Sequence, residues 1–193
     1  MVDGNFSGFQ GSTMETLEID DAIVLLLGAP TDNPTLRAQL SGVTRLEKLI
    51  FLVERETSLG ELLNEDACFR PHNFGPFSEI VYRAVGYLSG YGLIEDTAVH
   101  SDSTEDSWEQ IQAIGSERSD PYVTRDFRLT DVGLRYYEVL ANNLEAAHIR
   151  ELSEFKDEFG SIPLRQLVRY VYRRYPEMTE RSLIREEVLG NEW

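Results

Sequence analysis

With a single cysteine, Cys68, in 193 residues, the chain can build no disulfide framework and no multi-cysteine zinc module, and it suits a reducing compartment. Long apolar runs are also missing. The longest, Ala22 to Leu27, falls far short of the roughly 20 residues a membrane span needs, and no basic stretch precedes it as in a signal peptide. A cytoplasmic protein without membrane association is expected. Lysine is nearly absent, since 16 of the 18 bases are arginine and only Lys48 and Lys156 remain. Catalytic signatures are lacking too: there is no Gly-rich phosphate loop, no Gly-x-Ser-x-Gly elbow and no His-Glu-x-x-His pair. His72, His100 and His148 lie isolated without metal-ligand spacing, and Cys68 has only His72 near it in sequence as a base. We therefore expect no enzymatic activity, no metal and no cofactor.

Carboxylate is what the chain has in excess. Thirty-four acids against 18 bases give a formal charge of −16 and a pI near 4.5. Acidity combined with lysine depletion resembles proteins of salt-loving cytoplasms, where molar salt screens carboxylate repulsion, and arginine use driven by genome composition is the alternative. Such a surface repels phosphate, so nucleic-acid binding requires explicit basic patches. The charge is uneven. Residues 1 to 160 carry a net of −17, whereas Ser161 to Tyr175 holds Arg165, Arg169, Arg173 and Arg174 and no acid.

Residues 1–15, rich in Gly and Ser, read as a flexible arm. Thr16 is placed to cap a helix from Leu17 to about Gly28, and Ala29 to Gly42 follows as a connector. Thr44 is the expected cap of a second helix whose apolar stripe is Leu46, Leu49, Ile50 and Val53, with Arg45, Glu47, Lys48, Glu54 and Arg55 solvated. A turning connection through Pro71, Gly75 and Pro76 leads to Ser78, the cap of a third helix reaching about Ser89. Leu93 to Val99 and Tyr122 to Leu129 read as two strands flanking an acidic tip at 101–121. Thr130 caps the next helix, expected to turn Val132, Tyr136, Val139 and Leu140 inward. Three helical stretches complete the chain, the last being Thr179 to Leu189 with Leu183, Ile184 and Val188 buried.

Three helices, a strand, a tip, a returning strand and a helix opened by Leu129-Thr130-Asp131-Val132-Gly133 form the order of a winged helix-turn-helix. The expected fold is mainly α with a small β-hairpin (α+β), a winged helix-turn-helix core over 16–142 and a C-terminal helical extension over 143–193. The pairing of Gly42-Val43-Thr44-Arg45-Leu46-Glu47-Lys48-Leu49-Ile50-Phe51-Leu52 with Phe74-Gly75-Pro76-Phe77-Ser78 resembles the YwgA-like and Panacea (SocA-like antitoxin) group, in which a basic-apolar helix motif accompanies an aromatic-Gly-Pro motif. Arg45 and Glu47 stand where that pattern favours Lys and Gln, and Phe51 replaces a Tyr. The resemblance implies a regulator, a protein-binding antitoxin or a protease adaptor.

Two functions follow as expectations. The first is a DNA-binding transcriptional regulator, with Tyr82 and Arg83 nearest the bases of double-stranded DNA and Arg125, Arg128, Arg165, Arg169, Arg173 and Arg174 on phosphates. Competing roles are a core helix for residues 78–89, pairing of Arg125 and Arg128 with Asp126 and Asp131, and internal compensation for the tail arginines. The second is a module that holds a protein partner, a toxin or a client. A homodimer is a candidate assembly in either case. Gly75, Pro76, Ser78, Thr44 and Thr130 are assigned structural work.

Overall fold

The structure, a computed structural model, describes residues 16–100 and 123–190. The N-terminal arm and the acidic tip at 101–121 lie outside them. At the centre is α1 (Ile19–Gly28), whose residues from Ala22 to Leu27 are all buried. A helix apolar on every side must be enclosed on every side, and this one is packed by elements from both ends of the chain. Its start differs from expectation. Leu17 is drawn into a bridge with Leu63, so Glu18 rather than Thr16 caps the helix, with Asp21 Oδ2 accepting from the Glu18 N–H at 3.0 Å.

The supposed connector after α1 carries a strand, β1 (Gln39–Ser41), which leads into α2 (Val43–Glu56). Gly42, at φ +95, makes the turn between them, and its N–H still bonds Arg125 O at 2.9 Å as a member of the sheet. The helix consequently begins two residues early. Gly42 is its cap, and Thr44 sits buried inside the first turn instead of capping it. A short 3-10 turn (Ser58–Leu62) and a small hairpin, β2 (Arg70–His72) with β3 (Gly75–Phe77), then precede α3 (Glu79–Gly90).

Strand β4 (Ile94–His100) pairs antiparallel with β5 (Val123–Leu129), and β5 also pairs with β1, giving the sheet order β1-β5-β4. The chain is thus mainly helical with a small antiparallel sheet. Next come α4 (Asp131–Asn142), α5 (Ala146–Phe159), α6 (Leu164–Arg174) and a short α7 (Arg185–Leu189). Leu152, Leu167, Val168, Val171 and Tyr172 of the tail join one continuous core with α1 and α2.

Two inward faces depart from the periodicity. In α4, Val132 and Val139 are exposed at 47% and 54%, while Gly133 and Leu140 face the core. Gly133 sets that rotation, because a Cβ there would lie 2.0 Å from Leu93 O, a contact only glycine permits. Thr130 locks the junction, its Oγ accepting from the Gly133 N–H at 3.0 Å and donating to Gly92 O at 2.6 Å. In the tail, Leu183 is 69% exposed. Its N–H donates to Asn73 O at 2.9 Å, which holds residues 180–184 against the hairpin in a non-helical path.

Candidate interaction surface

Both lysines of this lysine-poor chain are inside it. Lys48, expected on the solvated side of α2, is fully buried, as is Glu47 beside it. Lys48 Nζ donates to Pro76 O at 2.8 Å and lies 3.7 Å from Glu47 Oε2, while Glu47 Oε1 accepts from the Ser78 N–H at 3.3 Å. Burial pushes the Glu47 carboxyl well above the usual carboxylate range, against the pull of Lys48. Ser78 is the cap expected of it, with Oγ accepting from the Ile80 and Val81 N–H groups at 3.1 and 3.2 Å. Gly75 takes φ +90, and a Cβ there would fall 2.6 Å from Tyr172 Cε1 on α6. The helix motif and the Gly-Pro motif are therefore the two sides of one buried contact that sets where α3 begins.

What α3 presents to solvent is Glu79, Arg83, Gly86, Tyr87 and Gly90, followed by Tyr91 and Gly92. Tyr87 and Tyr91 are 57% and 79% exposed, and a Cβ built at Gly86 or Gly90 meets nothing within 4 Å. Tyr82 is only half-buried rather than free, its ring 5.4 Å from Phe77 and under the Arg125 guanidinium at 6.0 Å. Arg83 is exposed and makes no ion pair among the described residues.

The strand arginines, expected to reach phosphates on either flank, lie on opposite faces of β5. Residues three apart on a strand point to opposite faces, so Arg125 and Arg128 cannot serve one surface. Arg125 lies on the face of Phe127, held bidentately by Asp96, with Nε to Oδ1 at 3.0 Å and Nη2 to Oδ2. Arg128, on the outer face, donates to Gln39 Oε1 at 3.1 and 2.9 Å. Neither takes Asp126 or Asp131 as its partner.

In the tail, Arg165 Nη2 donates to Glu187 O and Arg169 Nε to Val188 O, both at 2.7 Å. These guanidinium groups satisfy carbonyls at the end of α7 and dock it on α6. Arg174 reaches Glu56 at 3.7 Å, and Glu56 also accepts from the Tyr170 and Tyr175 hydroxyls at 2.7 and 2.8 Å. Arg173 is exposed on the same helix. Of these arginines, two are thus received by backbone carbonyls and Arg174 by a carboxylate.

Three groupings were not legible beforehand. Ser58, His148 and Glu151 converge: Glu151 Oε2 accepts from the Ser58 N–H at 3.0 Å and from its hydroxyl, which also meets His148 Nδ1. Both groups meet one hydroxyl and no bond joins carboxylate to imidazole, so the trio fastens α5 to the end of α2 without the serial order of a base relay. Lys156 is buried at the far end of α5, donating to Leu27 O at 2.6 Å and Ala29 O at 3.1 Å. The third grouping is a groove of about 270 Å³ floored by Phe155, Phe159 and Tyr170 and rimmed by Glu151, Glu154 and Glu158. Lysine scarcity was the one sequence signal for the buried ammonium groups; the other two arise from contacts distant in sequence. Among the described residues, no group of three or more His, Cys, Asp or Glu is placed to hold a metal ion, and no helix is long and apolar enough to cross a membrane.

No family model, curated protein or solved structure matches the chain.

Proposed function

We propose that this chain is a winged-helix protein-interaction module whose partner docks on the outward face of α3. Helix, strand, helix, a small hairpin, helix and two strands in sequence, with β1 paired to β5, resembles the winged-helix order apart from the inserted hairpin and supports that reading of the three-stranded sheet. One observation carries the functional reading: the outward side of α3 and the residue that caps it offer two exposed tyrosines, Tyr87 and Tyr91, beside Gly86 and Gly90, with a single cation. Aromatic side chains on a rigid element supply protein contacts with little ordering cost. Each helical glycine costs about 1 kcal/mol relative to alanine, which close approach of a partner backbone would offset.

A groove-reading helix needs several Arg, Asn, Gln or Lys side chains for base edges, and Arg83 stands alone here. Arg125, Arg165, Arg169 and Arg174 are engaged within the fold, which weakens a phosphate-binding role for them. Residues 57–78 separate α2 from α3 where a helix-turn-helix has a tight turn of 3–4 residues. Of the roles that the antitoxin-group resemblance implies, these features favour a toxin or client protein as partner. DNA-binding regulation is the second reading, supported by the exposure of Arg83 and Arg128.

The test is capture by the immobilised full chain from its source cells, repeated with Tyr87→Ala/Tyr91→Ala and with Arg83→Ala. A partner held by the parent chain and by the arginine variant is expected to be lost from the tyrosine variant, the truncations costing about 2 kcal/mol each, roughly 30-fold in affinity. Retention that ignores the tyrosines contradicts the proposal.

A further inference from the structure

We propose that the chain pairs with a second copy of itself through α4, the outward sides of the two helices lying antiparallel, valine against valine, with Arg135 of each copy beside Glu138 of the other. The pairing uses neither Tyr87 nor Tyr91 and stands apart from the partner surface on α3.

Helix α4 packs on α1 and β5, and its rotation is fixed at three points. Gly133 lies against Leu93 O, the Tyr136 hydroxyl donates to Asp21 Oδ1 at 2.6 Å, and the Tyr137 ring occupies the place of a Cβ at Gly28. Val132 and Val139 therefore cannot turn inward. Of the six large apolar side chains exposed among the described residues, Val132, Leu134 and Val139 all belong to this one helix. Valine is β-branched and among the weaker helix formers, so two of them on a solvated side gain nothing from water or from the helix itself. A covering surface supplies the missing gain.

The charges beside the valines select what covers them. Val132 and Val139 stand two turns apart, with Arg135 between them and Glu138 on the flank. Arg135 and Glu138 are both exposed, and neither makes a hydrogen bond or ion pair among the described residues. A uniformly acidic or basic partner would satisfy one of these charges and oppose the other, whereas a second copy satisfies both. Turned end for end about a two-fold axis crossing the helix near Arg135 and Tyr136, Val132 of one copy meets Val139 of the other, each Arg135 reaches a Glu138, and every contact is made twice. A helix of 12 residues is about 18 Å long, so the interface is of the small class and the association weak and reversible. At −16 two copies repel at a distance, but in about 0.15 M salt that repulsion is screened beyond about 8 Å, while pairs in contact are screened less.

Sedimentation velocity of the full chain from about 1 μM to about 1 mM, in about 0.15 M salt, tests the pairing. A dimer that grows with concentration is expected in the parent chain. Val139→Glu, which alters one exposed side chain, is expected to weaken it about tenfold. Arg135→Glu and Glu138→Arg each set like charges together and are expected to lower self-association by a similar factor. Mixed in equal amounts, those two variants present helices of opposite charge and are expected to associate again as a mixed pair, with circular dichroism reporting an unchanged fold in each. A monomer throughout, or a dimer indifferent to all three substitutions, overturns the proposal. A mixture that stays monomeric overturns the antiparallel seat.

Discussion

Replacing Lys48 by alanine is expected to cost about 4 kcal/mol of folding stability, a large share of the 5–15 kcal/mol typical of a domain. The ammonium group is fully buried and bonded to Pro76 O, and it is the counter-charge of an equally buried Glu47. Its removal leaves that carbonyl without this donor, opens a void in the core and strands a carboxylate in low dielectric. Urea unfolding measures the loss. The double variant Glu47→Gln/Lys48→Met should recover part of it, because an uncharged amide can still accept from the Ser78 N–H while no unpaired charge remains. The damage also depends on pH. In the folded state Glu47 holds its proton more tightly than in the unfolded chain, so the stability it contributes is present below the ordinary carboxylate range and is lost as pH rises through the elevated folded value. Without Lys48 that value climbs further, and Lys48→Ala is expected to be more damaging at pH 8 than at pH 5. Equal losses at both would mean that Glu47 does not sense Lys48.

Lys156→Ala should destabilise by about 3 kcal/mol, through two carbonyls at the end of α1 that lose a donor and the space left by the stem. Lysine serves better than arginine in such a place: one compact ammonium group fills two acceptors, and no planar fork must be accommodated. Burial pushes its pKa down to about 8 from 10.5. With the folded value depressed, the contribution is complete above the unfolded value and is lost as pH falls through about 8. Stability of the parent chain should accordingly rise by about 1 kcal/mol between pH 8 and 9.5, and this rise should vanish in Lys156→Met. Above pH 10 the trend reverses, since Tyr170 and Tyr172 are pushed up to about 12 and keep in the folded state protons that the unfolded chain releases. A flat profile from pH 8 to 9.5 would contradict the burial of Lys156.

The limits of legibility have physical causes that individual residues display. Ser78 and Thr130 announced themselves because capping is local, a hydroxyl reaching amides two or three residues on. The burial of Glu47 and Lys48 was concealed because their needs are met at Pro76 and Ser78, across a hairpin, and a polar residue on a helix is read as solvated unless its distant acceptor is known. Thr44 was misplaced for a similar reason: β1 binds β5 far along the chain, and that pairing, through Gly42, sets where α2 starts. The rotation of α4 rests on one close approach, Gly133 on the Leu93 carbonyl, which periodicity does not encode. Of the candidate site, the periodic arginines were visible, whereas their engagement by Asp96, Gln39 and the α7 carbonyls needed the fold. The tyrosines at positions 87 and 91 and the glycines at 86 and 90 each repeat every four residues, a stripe already present in the sequence. Its meaning required knowing that this side of α3 faces outward.

The measurement that bears most directly on the central claim is fluorescence anisotropy of the full chain with the DNA upstream of its own gene, against a scrambled competitor, from low to molar salt. A surface of net −16 whose best-placed arginines are held internally predicts weak binding at low salt, equal for both sequences and gone as salt rises. Preference for the upstream sequence that survives high salt and disappears with Arg83→Ala would contradict the account and make α3 a recognition helix.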